Sequence, residues 1–187
     1  MRYVVTPGQV DHFVEEGFIE FEELFTPEQA STLHALLEKS HAQKPSGYDL
    51  HREDPSLEKA LHFSKLTQMG APLFQKHRLR IGYTLYPVPT EGSQILEETS
   101  SITDLLGGLL INFDGETPGS GLFFSPTFAI DYGEREGSSL LIVFAGKIAR
   151  YVSNEADPHK NELKKMSYGA GGLLSDETHH LYSPPLQ

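Results

Sequence analysis

The sequence predicts an α+β fold, with helices first and an antiparallel β-sandwich after them. Two observations carry this. Two copies of one helix-start pattern, Thr6-Pro7-Gly8-Gln9 and Thr26-Pro27-Glu28-Gln29, lie near the start of the chain. From residue 78 onward the texture changes to short apolar or alternating runs divided by Gly and Pro, with no helical pattern between them. Short strands without crossover helices argue for a sandwich, barrel or jelly roll rather than a parallel sheet. The 187 residues are read as one domain, 1–187, with a mainly helical cover over about 1–77 and a β core over 78–187.

Both helix starts have the same logic. Threonine caps, proline suits the first helical position, and glutamine reaches back to the threonine amide. Val10, Phe13 and Val14 then share one helical face, and Gly17 ends the first helix as a left-handed residue. Phe18-Ile19-Glu20-Phe21 reads as a short strand. Ala30, Leu33, Leu36 and Leu37 form the stripe of a second helix that runs to about Ser40, with His34 and His41 near the edge of that stripe.

Residues 43–58 are polar and contain Pro45, Gly47 and Pro55, the marks of a loop. Leu57–Met69 carries a weaker helical pattern that Pro72–Lys76 can extend. In Arg78–Pro87, Leu79, Ile81, Tyr83 and Leu85 alternate with Arg80, Gly82, Thr84 and Tyr86, as in a strand with one buried side. Further strands are expected at Gln94–Leu96, Gly108–Phe113, Gly121–Phe124, Thr127–Tyr132, Ser138–Phe144, Ile148–Val152 and Gly172–Ser175, with another near Leu181.

Composition excludes several functions. There is no cysteine, hence no disulfide, thiolate metal site or cysteine nucleophile. Without a signal-peptide-like apolar stretch before Pro7, this favours a reducing cytoplasm. The charge is −11, and the densest basic cluster (Lys76, His77, Arg78, Arg80) is short, so neither nucleic acid nor an anionic membrane is expected as a partner. No run approaches the roughly 20 apolar residues of a membrane span. Gly169-Ala-Gly-Gly172 lacks the Lys-Ser/Thr of a phosphate loop, and no G-x-S-x-G elbow is present.

The stretch from Phe13 through Gly17-Phe-Ile-Glu-Phe to Thr26-Pro-Glu-Gln and Leu33 resembles the opening of the phytanoyl-CoA dioxygenase family and related Fe(II)/2-oxoglutarate oxygenases. Gly108–Asp114, followed by Gly121 and Ser125-Pro126, is similar to that family's central strand and turn. Gly171-Gly-Leu-Leu-Ser-Asp-Glu-Thr-His179-His180 is similar to the turn that delivers the distal iron-binding histidine. The resemblance implies a double-stranded β-helix (jelly roll, cupin-like) with the N-terminal helices packed on one sheet. It also implies an Fe(II) site of two histidines and a carboxylate, with 2-oxoglutarate held by an Arg or Lys.

On that pattern the distal histidine is His179 or His180, with His180 slightly preferred. On a strand, one of the two should face inward and the other outward. The proximal His-x-Asp/Glu pair should fall between about Thr90 and Asp104, where there is no histidine and only Glu97, Glu98 and Asp104 offer carboxylates. His51-Arg-Glu53 has the spacing but lies in the polar loop, and His159 lies in a charged turn and is read as solvated. No basic residue follows His180, leaving Lys147 and Arg150 as anchors, both read first as surface charges.

Two defects in one site favour a degenerate bacterial branch of the fold. Its expected role is non-catalytic binding or regulation, with a small molecule or a protein as ligand, no assigned catalytic residue and no firm cofactor. The alternatives are an active oxygenase with an atypical ligand set, using Fe(II) and 2-oxoglutarate, and a cupin-like module unrelated to iron.

Overall fold

The computed structural model describes residues 4–133 and 137–184. Helix α1 (Pro7–Glu16) leads into strand β1 (Phe18–Phe21), and α2 (Pro27–Gln43) follows. Both helices open with a full capping box. The Thr6 and Thr26 hydroxyls accept from the Gln9 and Gln29 amides, while the glutamine side chains accept from the threonine N–H groups at 2.9 and 3.0 Å. Gly17 closes α1 at φ 78°, donating to the Phe13 carbonyl.

A 3₁₀ turn (Leu50–Arg52) precedes α3 (Pro55–Leu61) and α4 (Phe63–Leu73). The single helix expected over Leu57–Met69 is thus two, because His62 adopts φ 50° and redirects the chain between them. The strands are β2 (Leu79–Leu85), β3 (Ser93–Gln94), β4 (Leu105–Asn112), β5 (Gly121–Phe124), β6 (Ile130–Asp131), β7 (Ser139–Ala145) and β8 (Leu181–Tyr182). One sheet has the order β1-β5-β4-β7-β2-β8, antiparallel throughout, and a second pairs β3 with β6. The fold is therefore mixed helix and antiparallel sheet, and the main sheet is not closed on itself.

Each face of the main sheet carries a core. Leu33, Leu37, Leu57 and Leu61 of the helices pack with Leu109, Ile111, Phe123, Ile142 and Phe144. On the opposite face Leu110, Leu122, Phe124, Leu141 and Val143 meet Tyr48, Leu96, Ile130 and Tyr151. A strand buried on both faces must be apolar without alternation, and Leu140–Ala145 is.

Several expected strands come out differently. β2 is buried along its whole length rather than on one side. An irregularity in its pairing between Ile81 and Tyr83 sends Leu79 and Ile81 to the helix-side core but Tyr83 and Leu85 to the opposite one. Thr127–Tyr132 contributes only Ile130–Asp131. Gln94–Leu96 stops at Gln94, and a helical turn, α5 (Leu96–Thr99), takes over. Ile148–Val152 and Gly172–Ser175 form isolated bridges, Ile102 with Tyr151 and Arg150 with Leu173. A last helical turn, α6 (Glu162–Lys165), follows.

The segment read as a polar loop also departs from expectation. Tyr48, Asp49, Leu50 and His51 are all buried. Polarity normally keeps such a segment in water. Here its polar groups pair with β2: the Asp49 N–H donates to the Thr84 carbonyl at 2.9 Å, and the Thr84 N–H donates to the Asp49 carboxylate at 2.8 Å. Residues 47–49 thus cover the far end of the β2 edge, while β8 covers only Leu79 and Arg80.

Candidate functional site

A cavity of about 360 Å³ lies against the stretch of β2 between those two covers. His51 and Arg52 of the 3₁₀ turn, Phe63 of α4, Ile81 of β2 and the 177–182 segment line it. Larger clefts of about 600 Å³ lie elsewhere: one contains no histidine, Arg or Lys, and the other is lined by Glu20, Asp114, Glu116 and Asp131. The 360 Å³ cavity is lined by three imidazoles, those of His51, His179 and His180.

Asp49 organises the cavity's inner side. Its carboxylate is fully buried and accepts from Arg52 Nε at 2.7 Å, besides the Thr84 amide. A buried charge is tolerated when paired and hydrogen-bonded in this way. Arg52 also donates from Nη1 to the Thr178 carbonyl, tying the 3₁₀ turn to the C-terminal segment. Its remaining Nη2 is buried and has no hydrogen-bond partner.

His51 places Nδ1 3.0 Å from the Thr84 hydroxyl and 4.0 Å from the Asp49 carboxylate, with Phe63 packed edge-on to its ring. Burial pushes it down to about 4, against the pull of Asp49, with Arg52 and Lys44 adding to the fall. His179 is fully buried. Its Nδ1 lies 2.9 Å from the Tyr168 hydroxyl, and its Nε2 has no partner. Burial pushes His179 down to about 4 as well, with Arg52, Arg80 and His51 contributing and Asp49 opposing. Both imidazoles are neutral at pH 7.

Arg80 braces this end of the molecule. Its side chain is 2 % exposed, with Nε donating to the Gly146 carbonyl (3.2 Å), Nη1 to the Leu174 and His179 carbonyls (2.8 and 3.1 Å) and Nη2 to the Lys147 carbonyl (3.1 Å). Nη2 also meets Asp176 at 3.1 Å. The guanidinium thus fixes the turn on which His179 sits.

His179, not the slightly preferred His180, is the inward member of the late pair; His180 is exposed and packs edge-on against Tyr182. The reason is register. β8 begins only at Leu181, so the pair sits in the turn, where the His179 carbonyl is held by Arg80. His51 and Glu53 do not converge: His51 is buried, while Glu53 is exposed and paired to Lys44 at 2.8 Å. His159, read as solvated, is half-buried against Tyr48 with ring centroids 5.4 Å apart. Lys147 and Arg150 are exposed, and Arg150 donates to the Gly171 carbonyl at 2.8 Å. Glu97 and Glu98 are exposed, and the Asp104 carboxylate accepts from the Ile148 N–H.

Asp49, Arg52, Arg80 and Tyr168 carry the site without being singled out in the sequence. Asp49-Leu-His51 has the carboxylate-x-histidine spacing in the reverse of the order sought. A lone Arg80 in an apolar strand was a further signal, since arginine is rarely fully buried unless paired. Among the described residues no group of three or more His, Asp or Glu is arranged to hold a metal ion.

No family model matches the chain, and no curated protein matches it. Solved structures share its fold. The non-heme α-ketoglutarate-dependent carbocyclase SnoK from nogalamycin biosynthesis aligns over 95% of this chain and 96% of its own, at TM-score 0.73 and 11% identity. The epimerase SnoN, in complex with Fe3+, α-ketoglutarate and nogalamycin RO, covers 94% and 99% at TM-score 0.66 and 10% identity. CT296 from Chlamydia trachomatis aligns over 78% of this chain and 97% of its own, at TM-score 0.59 and 22% identity. At these identities the likeness defines the fold: a mixed helix and antiparallel-sheet architecture similar to that of 2-oxoglutarate oxygenases.

Proposed function

We propose that this chain is a degenerate, phytanoyl-CoA-dioxygenase-like branch of the Fe(II)/2-oxoglutarate oxygenase superfamily, its sheets derived from a double-stranded β-helix, that binds a ligand without iron chemistry. The observation that carries this reading is the company His179 keeps. The late turn brings one imidazole inward, as such an oxygenase would. That imidazole meets Tyr168 and the Arg52–Asp49 pair. A facial iron site needs a second imidazole and a free carboxylate. Here His51 of the same cavity is engaged with Thr84, and the Asp49 carboxylate is neutralised by Arg52. The residues present do not fit iron. A binding or regulatory role in a reducing cytoplasm suits a chain without cysteine.

One observation favours the alternative, an active oxygenase with an atypical ligand set. Nε2 of His179 is buried and unpartnered, which is how a ligating nitrogen looks before its metal arrives. The test is metal stoichiometry, measured with Fe(II) under argon or with a redox-silent divalent surrogate, on the native chain and on His179→Ala and His180→Ala. No binding at millimolar metal is the expected result. Stoichiometric binding lost in His179→Ala, with succinate released from 2-oxoglutarate, would establish the alternative.

A further inference from the structure

Two buried nitrogen atoms without partners belong to residues that line the same cavity: Arg52 Nη2 and His179 Nε2. A buried donor left unmade costs the full loss of its hydration, so native interiors rarely leave one without a bonding purpose. Arg52 has spent its other nitrogens on Asp49 and on the Thr178 carbonyl, which fixes the plane of the guanidinium. Tyr168 sets the role of the imidazole. Its hydroxyl accepts the Ser175 N–H at 2.9 Å and lies 2.9 Å from His179 Nδ1 and 3.2 Å from the Ser175 hydroxyl, and the shorter contact takes its proton to Nδ1. That leaves Nε2–H as a donor. A guanidinium N–H and an imidazole N–H on residues that line one cavity suit a carboxylate.

The rest of the cavity narrows the class. Phe63 and Ile81 supply an apolar side, while Glu58 and Glu177 are exposed at the rim. With Arg52 paired to Asp49 and His179 neutral, the inner wall has no net charge and holds one carboxylate by hydrogen bonds alone, while the rim acids repel a second one and attract an amine. We propose that the cavity binds a small monocarboxylate at Arg52 Nη2 and His179 Nε2, and that the acidic rim favours one carrying an amino group, such as a small amino acid. Both nitrogens are shielded from water, so binding requires the Thr178 carbonyl, held by Arg52 Nη1, to be displaced from over them. This deepens the ligand-binding reading and rests on it.

The experiment is calorimetric titration of the full chain with propionate, β-alanine, succinate and 2-oxoglutarate, each to about 50 mM, alongside ¹⁵N spectra of the His179 ring. β-Alanine should bind at least as well as propionate, and both better than the dicarboxylates. The His179 Nε2 resonance should shift on binding. Arg52→Lys keeps the ion pair with Asp49 but loses Nη2, and His179→Gln keeps a smaller polar group. Each should weaken binding about tenfold or more with the chain still folded by circular dichroism. No binding of any monocarboxylate to the folded native chain, or a trapped water bridging the two nitrogens with no carboxylate uptake, overturns the inference. So does binding unchanged in both variants. A preference for 2-oxoglutarate also overturns it. Metal uptake at His179 is a separate measurement that sinks the non-catalytic reading instead, so the two failures are distinguishable.

Discussion

The Tyr168 hydroxyl lies 2.9 Å from Nδ1 of His179, and this contact governs what the opposite ring nitrogen can do. If the phenol donates, Nε2 carries a proton and serves anions. If Nδ1 donates to the phenol, Nε2 presents a lone pair and serves a metal. The Ser175 amide donates to the same phenol oxygen, and the contact with Nδ1 is shorter than the 3.2 Å contact with the Ser175 hydroxyl; together these favour the first arrangement. We expect ¹⁵N spectra at pH 7 to show His179 as the Nε2–H tautomer. Tyr168→Phe should lose that bias and produce a mixture of tautomers, while the Nδ1–H tautomer in the native chain would contradict the assignment.

Stability should fall on mild acidification. His51 and His179 are held near 4, whereas an unfolded histidine titrates at about 6.5. Between those values the unfolded chain takes up protons that the folded chain refuses, so unfolding gains as pH drops. The stability is fully present above about pH 6.5 and is lost as pH falls toward 4, with at most about 3 kcal/mol from each histidine. Urea melts at half-unit pH steps measure this, and His179→Phe should flatten the slope over that window. A native slope near zero from pH 6.5 to 5 would show that the imidazoles titrate normally.

Arg80→Met should be severe. The variant removes the donor to four carbonyls, those of Gly146, Lys147, Leu174 and His179, in a side chain that is 2 % exposed. The loss expected in chemical denaturation is on the order of 3 kcal/mol, because carbonyls left without a donor carry a desolvation cost. Arg80→Lys, with one point of donation, should recover part of it.

Gly108→Ala tests the packing of β4 on β5. An added Cβ would stand 2.2 Å from Cζ of Phe124, whose ring is fully buried. The ring cannot retreat within a packed core, so a loss of about 1–3 kcal/mol is expected. Gly115→Ala, where a Cβ meets nothing within 4 Å but φ is +84°, should show only backbone strain of about 1 kcal/mol. Thermal melts of the pair separate the two effects.

Local signals were legible in the sequence. The capping boxes at Thr6 and Thr26, the left-handed Gly17 and the strand expected at Ser138–Phe144 all follow from residues within a few positions of one another. So does the change from helix to strand near residue 78. Alternation was expected of His179 and His180 only on a strand, whereas the pair sits in a turn, and the slightly preferred His180 is the exposed one.

Tertiary structure decided the rest. Whether residues 47–52 lie in water or in the core depends on β2, 35 residues away in the case of Asp49 and the Thr84 amide. No local pattern reports a partner at that distance. The irregularity between Ile81 and Tyr83 redistributes a regular alternation over two cores, because pairing with β7, rather than periodicity, sets which way each side chain points. The same holds for the site. Composition and spacing supplied a late histidine and exposed the lack of an obvious second one between Thr90 and Asp104. Only the folding of the 3₁₀ turn onto the C-terminal segment placed Arg52 beside Thr178 and His179. Burial then turned ordinary polar side chains into groups with shifted protonation and unmet hydrogen-bonding capacity.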